Sequence, residues 1–402
     1  MGARSCASDV GSGASGIGWD GMRRRFPSPT GSAETFVTST EIIAAARRRL
    51  ADDVWAYLVG GAETETTLAR DRDAFDRIAL RQRVLTGIET TDVAADAFGR
   101  RSRLPVILSS IGSLDQLHPD GIEGAAKAAE AFGVPIAVSS VLKDGLVRGA
   151  RAAPSGIRWF QLYIDGDATW ATAAADRAEA AGYQALVVTV DLPVMGLRER
   201  PPSPDLPRFE RPDGRHRARL SWDDLGALVR RTPLPVVIKG ITAAEDAARA
   251  CEIGAAGIWV STHGGRQLDQ GLGALDCLPE VSASVDGRAR IILDGGVRRG
   301  TDVIKAIALG ADLVAIGRLY GFGLAAAGQF GVERILTLLE EEIRTTLVLL
   351  GVGCLAALGP HMLRAAHPAY PAQDPLHRAF PHLAVLLEQA SATAAESGAI
   401  TR

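Results

Sequence analysis

Eight short apolar or β-branched runs, each followed by an amphipathic stretch, predict an α/β fold: a TIM-type (β/α)8 barrel with an N-terminal helical cap. The length agrees, because 402 residues accommodate the roughly 250 that such a barrel uses. Composition agrees too, at 47% hydrophobic and 23% charged, which is enough apolar material for one large core.

Taken in order, residues 1–36 are poor in large apolar side chains and rich in Gly, Ser and Arg, so a disordered N-terminal extension is expected. Residues 39–58 read as a helix opened by Ser39, Thr40 and Glu41 and stopped by Gly60-Gly61. The strand candidates are 106–109, 135–139, 158–163, 185–190, 235–239, 257–261, 290–294 and 313–317. Ala-rich helical stretches lie between them, among them 122–132, 170–181, 243–253 and 301–309. The widest gap, between the fourth and fifth strands, holds a Pro/Arg-rich stretch at 198–219. It follows the C-terminal end of a strand, the face where barrel active sites lie, and is expected to be a lid insertion. The barrel unit is placed at 37–362, and the Pro-rich residues 363–402 are expected to be a peripheral tail.

Forty-four Lys and Arg against 47 Asp and Glu give a net charge of −3, so no basic excess points to nucleic acid. The four cysteines are scattered, without a CxxC pair, and are expected to be reduced; neither a zinc site nor a metal site of another kind is expected. The apolar run 347–358 is short and broken by Gly351 and Gly353, and residues 1–36 carry no apolar signal core. No stable membrane insertion and a cytoplasmic location are the expectations.

Barrels place their chemistry at strand C-termini, and here those positions are polar or small: Ser109, Ser139, Gln161 with Tyr163, Thr189 with Asp191, Lys239, Ser261, Asp294 and Gly317. The sixth strand ends in the densest cluster, STHGGRQLD (261–269), where His263 offers a proton acceptor three residues from the fixed cation Arg266. The last two strands run into Gly295-Gly296, Arg298 and Gly317-Arg318. Glycine turns that bare backbone N–H groups beside arginines suit a phosphate, at the barrel position where phosphates commonly bind.

These residues carry a resemblance. The segments YLVGGAETETTLARDRDAF (57–75), FQLY (160–163), TVDLPVMGLRE (189–199), Lys239-Gly240, STHGGRQLD and DGGVRRGTD (294–302) resemble those of the FMN-dependent L-2-hydroxy-acid oxidases and dehydrogenases, among them glycolate oxidase, lactate oxidase, lactate monooxygenase and mandelate dehydrogenase. The likeness runs from about residue 40 to 362. It implies FMN as cofactor and oxidation of an L-2-hydroxy acid to the 2-oxo acid, with oxygen or a quinone reoxidising the flavin. By the same likeness, His263 matches the base that takes the hydroxyl proton while the C2 hydrogen passes to flavin N5, and Asp191 its carboxylate partner. Arg198 and Arg266, aided by Tyr57, match the grip on the substrate carboxylate, and Tyr163 a phenol near the substrate hydroxyl. Lys239 matches the cation at the flavin N1/O2 edge. Ser139, Gln161 and Thr189 match partners of the flavin ring, with Ser261, Asp294 and Gly295 also on the cofactor side. Gly296, Arg298, Gly317 and Arg318 match phosphate and ribityl contacts. Family members commonly assemble, which implies a homo-tetramer or octamer.

Four departures from the family pattern stand out. Thr262 replaces the usual Asn before the histidine and removes an amide from the loop that aims it. The first strand ends Ser109-Ser110-Ile111-Gly112 instead of in an Ala-Pro motif, and the Gly leans toward dehydrogenases and monooxygenases. The lid continues Glu199-Arg200-Pro201-Pro202, shorter and stiffer than usual. Val141 stands where an aromatic often covers the substrate. Two alternatives stay open at this point: a flavoenzyme of the same fold acting on a larger natural-product intermediate, and a catalytically dead barrel with an assembly role.

Overall fold

All eight strands form, and they close on one another in chain order. In the computed structural model, which describes residues 36–200 and 215–368 together with Phe380, Leu383, Leu386 and Leu387, the barrel strands are β1 (Val106–Leu108), β2 (Ile136–Ser139), β3 (Arg158–Leu162), β4 (Ala185–Thr189), β5 (Val236–Ile241), β6 (Gly257–Val260), β7 (Arg290–Leu293) and β8 (Leu313–Ile316). Each pairs in parallel with the next, and β8 pairs with β1. Helices such as Gly121–Phe132 and Ala168–Ala180 return the chain outside the barrel.

The two-residue alternation of strands explains where the polar groups go. Outward residues such as Val138, Phe160, Val188 and Ile238 join the large core against the helices. Inward residues Ile107, Ala137, Trp159, Val187, Val237, Trp259, Ile292 and Ala315 form a second, separate apolar cluster that fills the barrel. Two residues further along each strand come Ser109, Ser139, Gln161, Thr189, Lys239, Ser261, Asp294 and Gly317. The period that packs the interior therefore also delivers a polar layer to the C-terminal mouth. The other end is stoppered by the hairpin Ala95–Ala97/Arg100–Ser102, whose Phe98 ring lies 5.2 Å from that of Trp159.

The cap differs from expectation in one respect. The predicted helix over 39–58 is two helices, Ser39–Arg49 and Asp52–Val59, because Leu50 turns extended (φ −82°, ψ 136°). Three arginines end the first helix and two aspartates open the second, the arrangement that complements both helix dipoles. A third helix, Thr66–Asp76, lies against the mouth. Its buried Arg72 pairs with Asp302 at 2.7 Å, and Asp302 also accepts from the backbone N–H groups of Arg298 and Arg299. Beyond 362, Leu363–Ala365 pairs antiparallel with Ile78–Leu80. Cys354 is disulfide-bonded, contrary to the expectation of reduced thiols, whereas Cys251 and Cys277 are free. Residues 1–35 and 201–214, where the disordered extension and most of the altered lid were expected, lie outside the described residues, as does most of the tail. Among the described residues no helix is long and apolar enough to cross a membrane.

Candidate active site

The polar layer and the cap enclose a cavity of about 350 Å³. One side is built by the loop after β6. His263, Gly264 and Gly265 are consecutive left-handed residues, with φ of 58°, 64° and 70°. Such a conformation is unusual for a histidine and is held by its surroundings. Ser261 Oγ accepts from the His263 N–H (3.0 Å) and from Lys239 Nζ (2.8 Å), fixing the start of the loop to β5.

This geometry aims the imidazole. Its Nδ1 lies 2.8 Å from Asp191 Oδ1, and its Nε2 lies 3.4 Å from the Tyr163 hydroxyl. Burial alone would push the Asp191 carboxyl up; the His263 ring and Lys239 outweigh that and hold it below the usual carboxylate range. An ionised carboxylate only accepts, so Nδ1 carries the hydrogen, which leaves Nε2 as the ring atom that exchanges a proton on the cavity side. Burial raises the Tyr163 phenol, which stays protonated.

Two guanidiniums border the same space. Arg266 donates to the carbonyls of Tyr57 and Leu58 and lies 4.9 Å over the Tyr57 ring, while Arg198 donates to the Arg266 carbonyl. Burial and the Arg266 charge push Arg198 down to about 10, and burial lowers Arg266 as well. Two desolvated cations side by side are relieved by a bound anion.

The opposite side of the cavity suits a polar, phosphorylated cofactor. Gly295 and Gly296 take φ of 93° and 75°, open to residues without a Cβ, and a Cβ at Gly317 would meet nothing within 4 Å. Both turns line the cavity together with Lys239, Arg298 and Arg318. Burial, Arg266 and Arg298 lower the Arg318 guanidinium strongly. Asp294 Oδ1 is buried without a hydrogen-bond partner among the described residues, and its Oδ2 lies 3.5 Å from Lys239 Nζ. The donors, cations and bared backbone fit FMN.

Of the residues singled out from sequence, Tyr57, Ser139, Tyr163, Arg198, Lys239, His263, Arg266, Asp294, Gly295, Gly296, Arg298, Gly317 and Arg318 line this one cavity. Four stand just behind it. Gln161 links Ser139 (2.7 Å) to Thr189 (2.9 Å) across three strands, Asp191 backs the imidazole, and Ser261 serves the loop. Sequence reasoning missed others. Arg217, counted only among lid arginines, lines the cavity, stacks 4.7 Å over Tyr163 and forms a two-pronged ion pair with Asp165. Gln267 holds the strand-four loop through the carbonyls of Asp191 and Val194, both at 2.9 Å. Thr262, far from leaving its loop untied, donates to buried Asp71 at 2.8 Å. No local pattern announces these contacts, although Thr262 and Gln267 fall inside a quoted motif and Arg217 inside the lid stretch.

Fold and site together define a barrel whose mouth suits a phosphorylated cofactor on one side and an anionic small molecule beside a histidine on the other. Comparison with known proteins gives the finer assignment. A family model described as FMN-dependent dehydrogenase matches residues 46–214 and 207–365. L-lactate oxidase of Nostoc sp. is 39% identical over 339 residues, 76% of this chain and 92% of that protein. 4-Hydroxymandelate oxidase of Amycolatopsis orientalis is 38% identical over 347 residues, 80% of this chain and 97% of that protein. A crystal structure of mandelate oxidase superposes with a TM-score of 0.76 at 37% identity, covering 84% of this chain and 100% of the other. The chain belongs to the FMN-dependent dehydrogenase family. It is an FMN enzyme that oxidises a 2-hydroxy acid.

Proposed function

We propose that His263 is the base of this oxidation and that Asp191, Arg198, Arg266 and Tyr163 complete its machinery. The observation that carries the reading is the aim of His263, bonded through Nδ1 to an ionised carboxylate and turning Nε2 toward the Tyr163 hydroxyl, in the cavity that Arg198 and Arg266 also line. Arg198 and Arg266 bind the substrate carboxylate and fix its orientation. The Tyr163 hydroxyl steadies the 2-hydroxyl, and His263 Nε2 takes its proton. Asp191 stabilises the imidazolium that forms. FMN, when bound, supplies the two-electron acceptor for the C2 hydrogen. Lys239, ion-paired with Asp294, balances negative charge gathered on that side of the cavity. The electrons leave to oxygen or a quinone.

Ile111, Val141, Leu192 and Met195 give the cavity apolar lining, which suits a 2-hydroxy acid with a bulky apolar substituent better than glycolate. The test is anaerobic addition of glycolate, L-lactate and (S)-mandelate to the yellow protein. Mandelate is expected to bleach the flavin fastest; a protein bleached by glycolate alone contradicts the size assignment, and one that no acid bleaches contradicts the base assignment. Arg198→Met should weaken oxalate binding about 10- to 100-fold while FMN stays bound. Unchanged oxalate affinity, read from the flavin spectrum, would remove Arg198 from the clamp. Assembly as a tetramer or octamer is the accompanying expectation, checked by light scattering.

A further inference from the structure

We propose that Asp71 and Thr262 form a positioning pair that couples the cap to both active-site turns, aiming the His263 loop and seating the Gly295-Gly296 turn. The inference rests on the reading of His263 as the base.

Asp71 sits on the cap helix Thr66–Asp76 and is fully buried. Among the described residues no cation pairs with it; its two oxygens accept instead from Thr262 Oγ1 at 2.8 Å and from the Ala274 N–H at 3.0 Å. The Thr262 hydroxyl at the same time accepts from the Gly265 N–H at 3.1 Å. One side chain thus ties down the residues on both sides of His263, in the stretch where three successive residues are left-handed. A backbone in that region returns to commoner angles unless restrained. The chain from Asp71 through Thr262 is a restraint applied from outside the loop.

The carboxylate also touches the phosphate-side turn. A Cβ added to Gly295 would lie 3.1 Å from the Asp71 carboxylate, and one added to Gly296 only 2.1 Å from the Asp71 carbonyl oxygen. The turn therefore lies directly on this residue, and a shift of Asp71 moves both sides of the cavity together.

The group is electrically tense. Burial lifts Asp71 from 3.8 to about 7, opposed by its bonds from Ala274 and Thr262; Asp294 adds to the rise and Arg318 acts against it. The thiol of Cys277, on the helix Ala274–Val285, is a further titratable neighbour. Both hydrogen bonds favour the ionised form, so the restraint is strongest above neutral pH and slackens as the carboxyl protonates.

The test uses the full, FMN-loaded chain and oxalate as the probe. Oxalate affinity is read from the flavin spectrum between pH 5 and 9, and FMN affinity and Tm are measured alongside. Thr262→Val keeps the shape and removes the hydroxyl. It should weaken oxalate about tenfold at pH 8 and displace the pH curve, with FMN affinity close to that of wild type. Thr262→Ser should restore the wild-type curve. Asp71→Asn should weaken oxalate and FMN together and flatten the change near pH 7. A role confined to stability would lower Tm in all variants and leave the oxalate curve in place, and that result overturns the pair. A wild type indifferent to oxalate at every pH overturns the reading of His263 and the arginines, and the pair's role with it.

Discussion

Replacing His263 by asparagine leaves FMN bound and slows flavin reduction by about 10²- to 10⁴-fold, the range a positioned general base contributes. Asparagine is the informative choice because the residue has φ of 58°, and asparagine accepts the left-handed region with little strain where alanine does not. The loop then keeps its course, Ser261 still accepts from the backbone N–H at 263, and only the acceptor at Nε2 is lost. Among the described residues the imidazole hydrogen-bonds to Asp191 and Tyr163 and to neither phosphate-side turn, so the protein stays yellow. Stopped-flow absorbance under argon measures the rate of bleaching by an acid the wild type oxidises. Reduction at the wild-type rate would end the case for His263 as the base.

Asp302→Ala should destabilise the fold by about 3–5 kcal/mol, roughly 10 °C in Tm. Its carboxylate is 1% exposed and answers three donors: the Arg72 guanidinium and the N–H groups of Arg298 and Arg299. Removing it leaves a buried guanidinium that keeps, among the described residues, Asp76 at 2.8 Å, the Gly296 carbonyl at 2.9 Å and the Phe75 ring at 5.0 Å. The same loss loosens the turn that carries Arg298, so FMN affinity falls with stability. The pH dependence has a definite sign. Burial acts to raise the Asp302 carboxyl, but Arg72 outweighs it and the folded group sits below the ordinary carboxylate value of 3.8. Its contribution is therefore present above that value and lost as the pH falls through the folded one, and the gap between wild type and variant should close in acid. Calorimetry at pH 7 and pH 3 checks both statements. An unchanged Tm at pH 7 would mean that Asp76 alone satisfies Arg72.

Particular residues show how far the sequence could be read. The eight strands were legible because apolar periodicity is a local property: 185–190 was read and Ala185–Thr189 formed. The glycine turns at Gly295-Gly296 and Gly317 were legible because bared backbone beside arginine has few other uses. The break at Leu50 was also written in the sequence, in Arg47-Arg48-Arg49 followed by Asp52-Asp53, but continuous apolar spacing masked it. Thr262 was read as the loss of a tether. The tether exists, and its other end is Asp71, 191 residues away.

The barrel, its polar mouth, the FMN family and the residue types at the strand ends can all be read along the chain, since each follows from spacing or from short motifs. Which of these groups touch is set by the folded molecule alone. It put Asp191 against His263 across 72 residues, laid Arg217 on Tyr163, and set Asp71 beneath both active-site turns. The physical reason is closure. A strand's alternation is fixed by its own backbone, but the partner of a buried carboxylate is fixed by where the barrel and its cap bring distant segments within 3 Å of each other, and no local pattern encodes that distance.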